Sequence, residues 1–129
     1  MFLPISTAFT SLIALWLIVL SANVIFRRRD AKVSLGDGED IMLTRRIRAQ
    51  ANLIEYAPVM MVMVALGELQ GGNSIIVGGL AALFFVARLA HGYALSFSAN
   101  SPLGRTFGAS VTFLSIIVLA LYNLTFLLG

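Results

Sequence analysis

The sequence predicts an all-α integral membrane protein, a bundle of four transmembrane helices forming a single domain over residues 1–129. Three observations predict it. Of the 129 residues, 59% are hydrophobic and only 12% charged, more apolar surface than a soluble domain of this length needs. Four separate stretches reach the roughly 20 mostly apolar residues that a spanning helix requires. The connections are short, with no repeat, low-complexity tract or long linker to mark a second domain.

Helix 1 is expected over about residues 6–26. It lacks a basic stretch ahead of it, and its apolar core is longer than that of a signal peptide, so it is expected to be an uncleaved first span. The basic run "RRRDAK" follows it, in a polar loop broken by Gly36 and Gly38. Asp37 is a candidate cap for helix 2, expected over about 39–69. At 1.5 Å per residue that helix is about 45 Å long, so its first turns should project from the hydrocarbon core. "QGGNS" makes a tight turn into helix 3, expected over about 74–96, and "SANSPLG" leads to helix 4, about 105–128.

The formal net charge of +3 is clustered, which argues for orientation in a membrane and against nucleic-acid binding. Arg27, Arg28, Arg29, Lys32, Arg45, Arg46 and Arg48 lie at the first connection and Arg105 at the third, while the second has no Lys or Arg. The positive-inside rule then places the first and third connections in the cytoplasm and both termini outside. Compact loops and absent sorting signals suggest a bacterial inner membrane. Without cysteines there can be no disulfide, thiolate metal site or cysteine nucleophile, and no metal centre is expected. Any thiol chemistry must use a thiol carried by a cosubstrate.

On helix 2, Arg45, Arg48, Asn52, Glu55 and Tyr56 recur at helical spacing, which places them on one face. Ionisable residues inside a span face protein or a wet cavity and pair with each other. Arg88 of helix 3 is the candidate buried partner of Glu55, and the pair is read either as an interhelical tie or as part of a site. His91 and Tyr93 lie in the last turns of helix 3, and Arg105 opens helix 4 at the same end. Arginines in excess of internal carboxylates suggest a pocket for a small anion. Arg105 also sits where a helix dipole favours an anion, and a thiol held there would ionise more readily.

These residues lie in motifs that resemble a known family. "RAQANLIEYAP" at Arg48–Pro58, "ARLAHGYAL" at Ala87–Leu95 and "PLGRT" at Pro102–Thr106 are similar to the signatures of the MAPEG proteins, the membrane-associated proteins of eicosanoid and glutathione metabolism. The resemblance covers nearly the whole chain. It implies a homotrimer with glutathione, as cosubstrate, bound between neighbouring subunits near the cytoplasmic side. Arg48, Asn52, Glu55 and Tyr56 match glutathione-binding positions, joined by Gln50, His91 and Tyr93. Arg88 matches a buried arginine of helix 3, and Arg105 the arginine that stabilises the thiolate. One of Arg27–Arg29 would supply a helix-1 contact. Two departures stand out: the Tyr93–His91 offset varies among relatives, and Phe107 and Ala109 occupy the region where a tyrosine would serve prostaglandin-synthase chemistry.

The expected activity is transfer of glutathione to lipophilic electrophiles, reduction of lipid hydroperoxides, or both. Two alternatives come from other classes: a non-catalytic glutathione-binding or structural homologue, and a small multidrug transporter. The last is poorly served by a carboxylate set among arginines.

Overall fold

The computed structural model describes residues 2–98 and 102–128. Among them are four helices: α1 (Pro4–Ala31), α2 (Ile41–Leu69), α3 (Ser74–Ser96) and α4 (Pro102–Thr125). Each is long and apolar enough to cross a bilayer. Helices α2 and α3 form the middle of the bundle. Helix α1 packs on both of them and α4 packs on both of them, with no contact between α1 and α4 among the described residues.

The core follows the inward stripe of each helix. Phe9 meets Phe84 edge-on, with ring centroids 5.8 Å apart. Met60, Val64, Val77 and Leu119 close the centre without exposure. Met61 and Met63 are half-buried beside it. Within the bilayer the buried hydroxyls of Thr112 and Ser115 are satisfied locally, each donating to a carbonyl one turn back at 2.7 Å. The many exposed Leu, Ile, Val and Phe side chains are the remaining surface of the spans, as lipid requires.

Helix ends explain where the boundaries depart from the sequence reading. Helix α1 runs past Phe26 to Ala31 and stops because Lys32 turns left-handed at φ 55°, its N–H bonding back to the carbonyls of Arg28 and Arg29. Helix α2 starts at Ile41, capped by Asp40 rather than Asp37: the Asp40 carboxylate accepts from Leu43 N at 2.7 Å. Asp37 serves the loop instead, accepting from Thr44 Oγ1 at 2.9 Å and Glu39 N at 3.2 Å. Gly71 at φ +75° makes the turn into α3, whose cap is Asn73. Tyr122 of α4 accepts from Asn73 N at 2.8 Å, tying that turn down.

Asp40 also clamps the two sides of the first connection. Arg27 Nε and Nη2 both donate to its carboxylate, at 3.1 and 2.5 Å. The Arg27 hydrogen bond, then that from Leu43 N, holds the Asp40 carboxyl below its ordinary value. A depressed carboxyl contributes stability that is present above its unfolded value near 3.9 and lost as pH falls through the folded value. Thermal unfolding in detergent should therefore lose stability on acidification below about pH 4. Asp40→Asn should be weaker at neutral pH and show less of that acid dependence. Equal acid dependence in both proteins would show that the clamp contributes nothing.

At the opposite end, α1 begins at Pro4 with no cap of its own. Glu68, in the last turn of α2, supplies one from another helix. Its carboxylate accepts from Ile5 N at 3.0 Å, Ser6 N at 2.9 Å and Ser6 Oγ at 2.6 Å. These are among the amide groups that a helix leaves without partners. Glu68→Ala should cost about 1–2 kcal/mol, the range for losing a good cap, read as a lowered unfolding temperature in detergent. The neighbouring Gln70→Ala removes only a local bond to Leu66 O and should leave it nearly unchanged.

Candidate functional site

The polar face of α2 splits into two edges. On the inner edge, Arg45 Nη2 donates to Ala94 O at 3.0 Å and also to Ser98 O, so it covers carbonyls at the end of α3. Tyr56, about three turns further along the inner edge, is half-buried and meets Phe113 of α4 edge-on at 5.4 Å. On the outer edge, Arg48 and Glu55 form an ion pair at 3.7 Å, with their side chains 56% and 48% exposed. Asn52 lies between them in sequence, half-buried. Positions 48, 52 and 55 are spaced by four and three residues, one stripe of a helix.

The anticipated Glu55–Arg88 buried pair is not formed. Glu55 is turned out toward Arg48, whereas Arg88 is 2% exposed inside the bundle. Arg88 uses other partners. Its Nη2 donates to Gly108 O at 3.1 Å, and its guanidinium lies 5.7 Å from the Tyr56 ring centroid and 6.0 Å from that of Phe84. A helix carbonyl and two aromatic faces replace the carboxylate. Nε of Arg88 is buried and has no hydrogen-bond partner among the described residues.

The other anticipated site residues lie on several faces of the protomer. Gln50 faces α1, donating to Ser21 Oγ at 2.8 Å, on the side of α2 away from Arg48. His91 is 5% exposed and packs where α3 crosses α4. Tyr93 points outward, 61% exposed, and stacks on Phe97 at 5.5 Å. Two residues apart on a helix, His91 and Tyr93 differ by about 200° in direction, so they do not line one wall of the protomer. Arg105 is exposed in the first turn of α4.

Of the helix-1 arginines, Arg27 is occupied by Asp40. Arg28 lines a cleft of about 430 Å³ together with Thr44, Ile47 and Arg48. This joins Arg28 to the outer edge of α2, which the run of three arginines in sequence could not reveal. The protomer thus presents an open strip of two guanidinium groups, an amide and the carboxylates of Glu55 and Asp37 beside apolar side chains. Such a set can hold a small peptide-like anion: cations for carboxylates, the amide for a peptide group, and a carboxylate for an ammonium.

Sequence reasoning missed Glu68 and the capping role of Arg45. The signal for Glu68 was α1 starting at a proline with no Ser, Thr, Asp or Asn before it, opposite an acid at the end of the next helix. Arg45 carried no signal beyond its level in the membrane.

A sequence model of the MAPEG family matches residues 6–125. The chain is also similar to the inner membrane protein YecN of Escherichia coli K12, at 28% identity over 123 residues, covering 95% of this chain and 92% of that protein. YecN of Escherichia coli O6:H1 strain CFT073 matches to the same extent.

Proposed function

Because the chain belongs to the MAPEG family, we propose that it is an inner-membrane enzyme that uses glutathione against lipophilic electrophiles or hydroperoxides, working as a homotrimer. The observation that carries this is the open Arg48–Asn52–Glu55 edge. A paired acid and base half-exposed on a spanning helix are costly against lipid, and a neighbouring subunit would cover them. The donor set suits glutathione, which carries two carboxylates, two peptide groups and one ammonium. Arg48 and Arg28 would bind carboxylate, Asn52 a peptide group, and Glu55 the ammonium.

Tyr56, Arg88 and His91 then form the packed wall behind that edge. Arg105 is the residue assigned to the thiol. Its guanidinium favours the thiolate, the nucleophilic form, electrostatically and by hydrogen bonding. In the transferase reaction the thiolate sulfur bonds to an electrophilic carbon while the leaving group departs with its electron pair. The basic residues at the first and third connections favour a cytoplasmic position for this end of the bundle. Glu55 paired with Arg48 is a poor carrier of protons for cation extrusion, which disfavours transport.

The test is turnover. Purified protein in detergent is given glutathione with 1-chloro-2,4-dinitrobenzene, and separately with cumene hydroperoxide. Consumption above the uncatalysed rate with either is expected. Binding of glutathione without turnover of either would replace the enzyme with a binding homologue.

A further inference from the structure

We propose that the basic end of α1 is a binding notch for the headgroup of an anionic phospholipid. The notch, about 370 Å³, lies between the last turns of α1 and the start of the loop, and is lined by Ile25, Arg28, Arg29, Lys32, Val33 and Ser34. It holds three cations, a hydroxyl and two apolar side chains. No acid lines it; Asp30, on the same turn, does not. Arg27 is neutralised by Asp40 and Arg28 is partly engaged by Gly36 O at 2.7 Å. Arg29 and Lys32 are exposed and have no partner among the described residues.

Depth selects a lipid. Helix α1 has 28 residues, about 42 Å at 1.5 Å per residue, against a hydrocarbon core of about 30 Å. With Pro4 at one boundary, the other falls near Val24, and Ile25–Lys32 lie in the headgroup layer. The face of α1 leading to the notch is apolar and exposed: Leu15 at 66%, Ile18 at 67% and Ile25 at 49%. Spacings of seven and four stack Ile18, Ile25 and Arg29 along one side of α1, and Lys32 follows at its left-handed cap. An acyl chain can follow Ile18 and Ile25 while its phosphate meets Arg29 and Lys32 and its headgroup hydroxyl meets Ser34. Cations placed this close to anionic lipid each strengthen binding by about fivefold. Arg28 lines both this notch and the proposed glutathione strip, but Arg29 and Lys32, which would hold the phosphate, do not belong to that strip.

The experiment is native mass spectrometry of the full chain released from micelles containing equal phosphatidylglycerol and phosphatidylcholine. Wild type should retain phosphatidylglycerol preferentially. The preference should fall by at least about fivefold in Arg29→Gln/Lys32→Gln, and soluble glycerol phosphate should not displace the lipid. If the double variant unfolds, Lys32→Gln alone should still show a reduced preference. Equal retention of the two lipids by wild type, an unchanged preference in the variants, or displacement by glycerol phosphate would each overturn the assignment.

Discussion

Replacing Arg105 by Ala should lower turnover with glutathione by roughly a hundred- to thousandfold, while glutathione still binds. The magnitude is that of losing one preorganised electrostatic contact to developing or resident charge, about 2.7–4 kcal/mol in the transition state. The two effects separate because binding and thiol activation fall to different helices. Arg48, Asn52 and Glu55 sit on α2 and would hold the peptide. Arg105 is on a separate helix, exposed in its first turn, and would act on the thiol. Removing it should therefore dim the ultraviolet thiolate band of bound glutathione and slow the reaction together. A lost affinity with a normal band would make Arg105 a carboxylate ligand. An unchanged band and rate would remove it from the chemistry.

The second large effect is structural. Gly108→Ala should destabilise the bundle by about 1–3 kcal/mol, the usual cost of forcing a methyl group into a packed interior. A Cβ at Gly108 would lie 2.6 Å from His91 Cβ and 2.8 Å from Ala87 O. Neither is the far end of a flexible side chain, so α3 and α4 would have to separate. Gly108 O is also the acceptor for Arg88 Nη2 and Thr112 Oγ1. Separating the helices would strip the buried guanidinium of its one hydrogen bond among the described residues. Gly79→Ala is the control. A Cβ there meets nothing within 4 Å, so the helix should gain slightly, by up to about 1 kcal/mol. Unfolding temperatures that fall equally in the two variants would show that the close approach at Gly108 does not matter.

Much of the fold was legible because bilayer thickness dictates helix length and apolar runs announce it. The fine boundaries were not, because they depend on caps. Asp37 and Asp40 are three residues apart in an acidic loop, and only the clamp from Arg27 selects Asp40. The α2 stripe was legible as a stripe, but periodicity does not say which edge turns inward. Tyr56 and Arg45 go to α3 and α4, whereas Arg48 and Glu55 stay open. That ionisable groups within spans pair with each other does not by itself choose the partner of Glu55. Equal depth does not bring two side chains together when one faces the neighbours' core and the other the bundle's outside. Gln50 and Tyr93 likewise show that motifs give proximity in sequence only: within the protomer one turns to Ser21 of α1 and the other stacks on Phe97.

Calorimetric titration tests whether the open edge of α2 is a glutathione wall between subunits. Glutathione would be titrated into detergent-purified wild type, Arg48→Ala and Glu55→Gln, with light scattering on each sample. All three should be trimers, wild type should bind saturably, and affinity should be lower by about tenfold or more in each variant, about 1.4 kcal/mol. Wild type that binds no glutathione, variants that bind as tightly as wild type, or full binding by a monomer would contradict it.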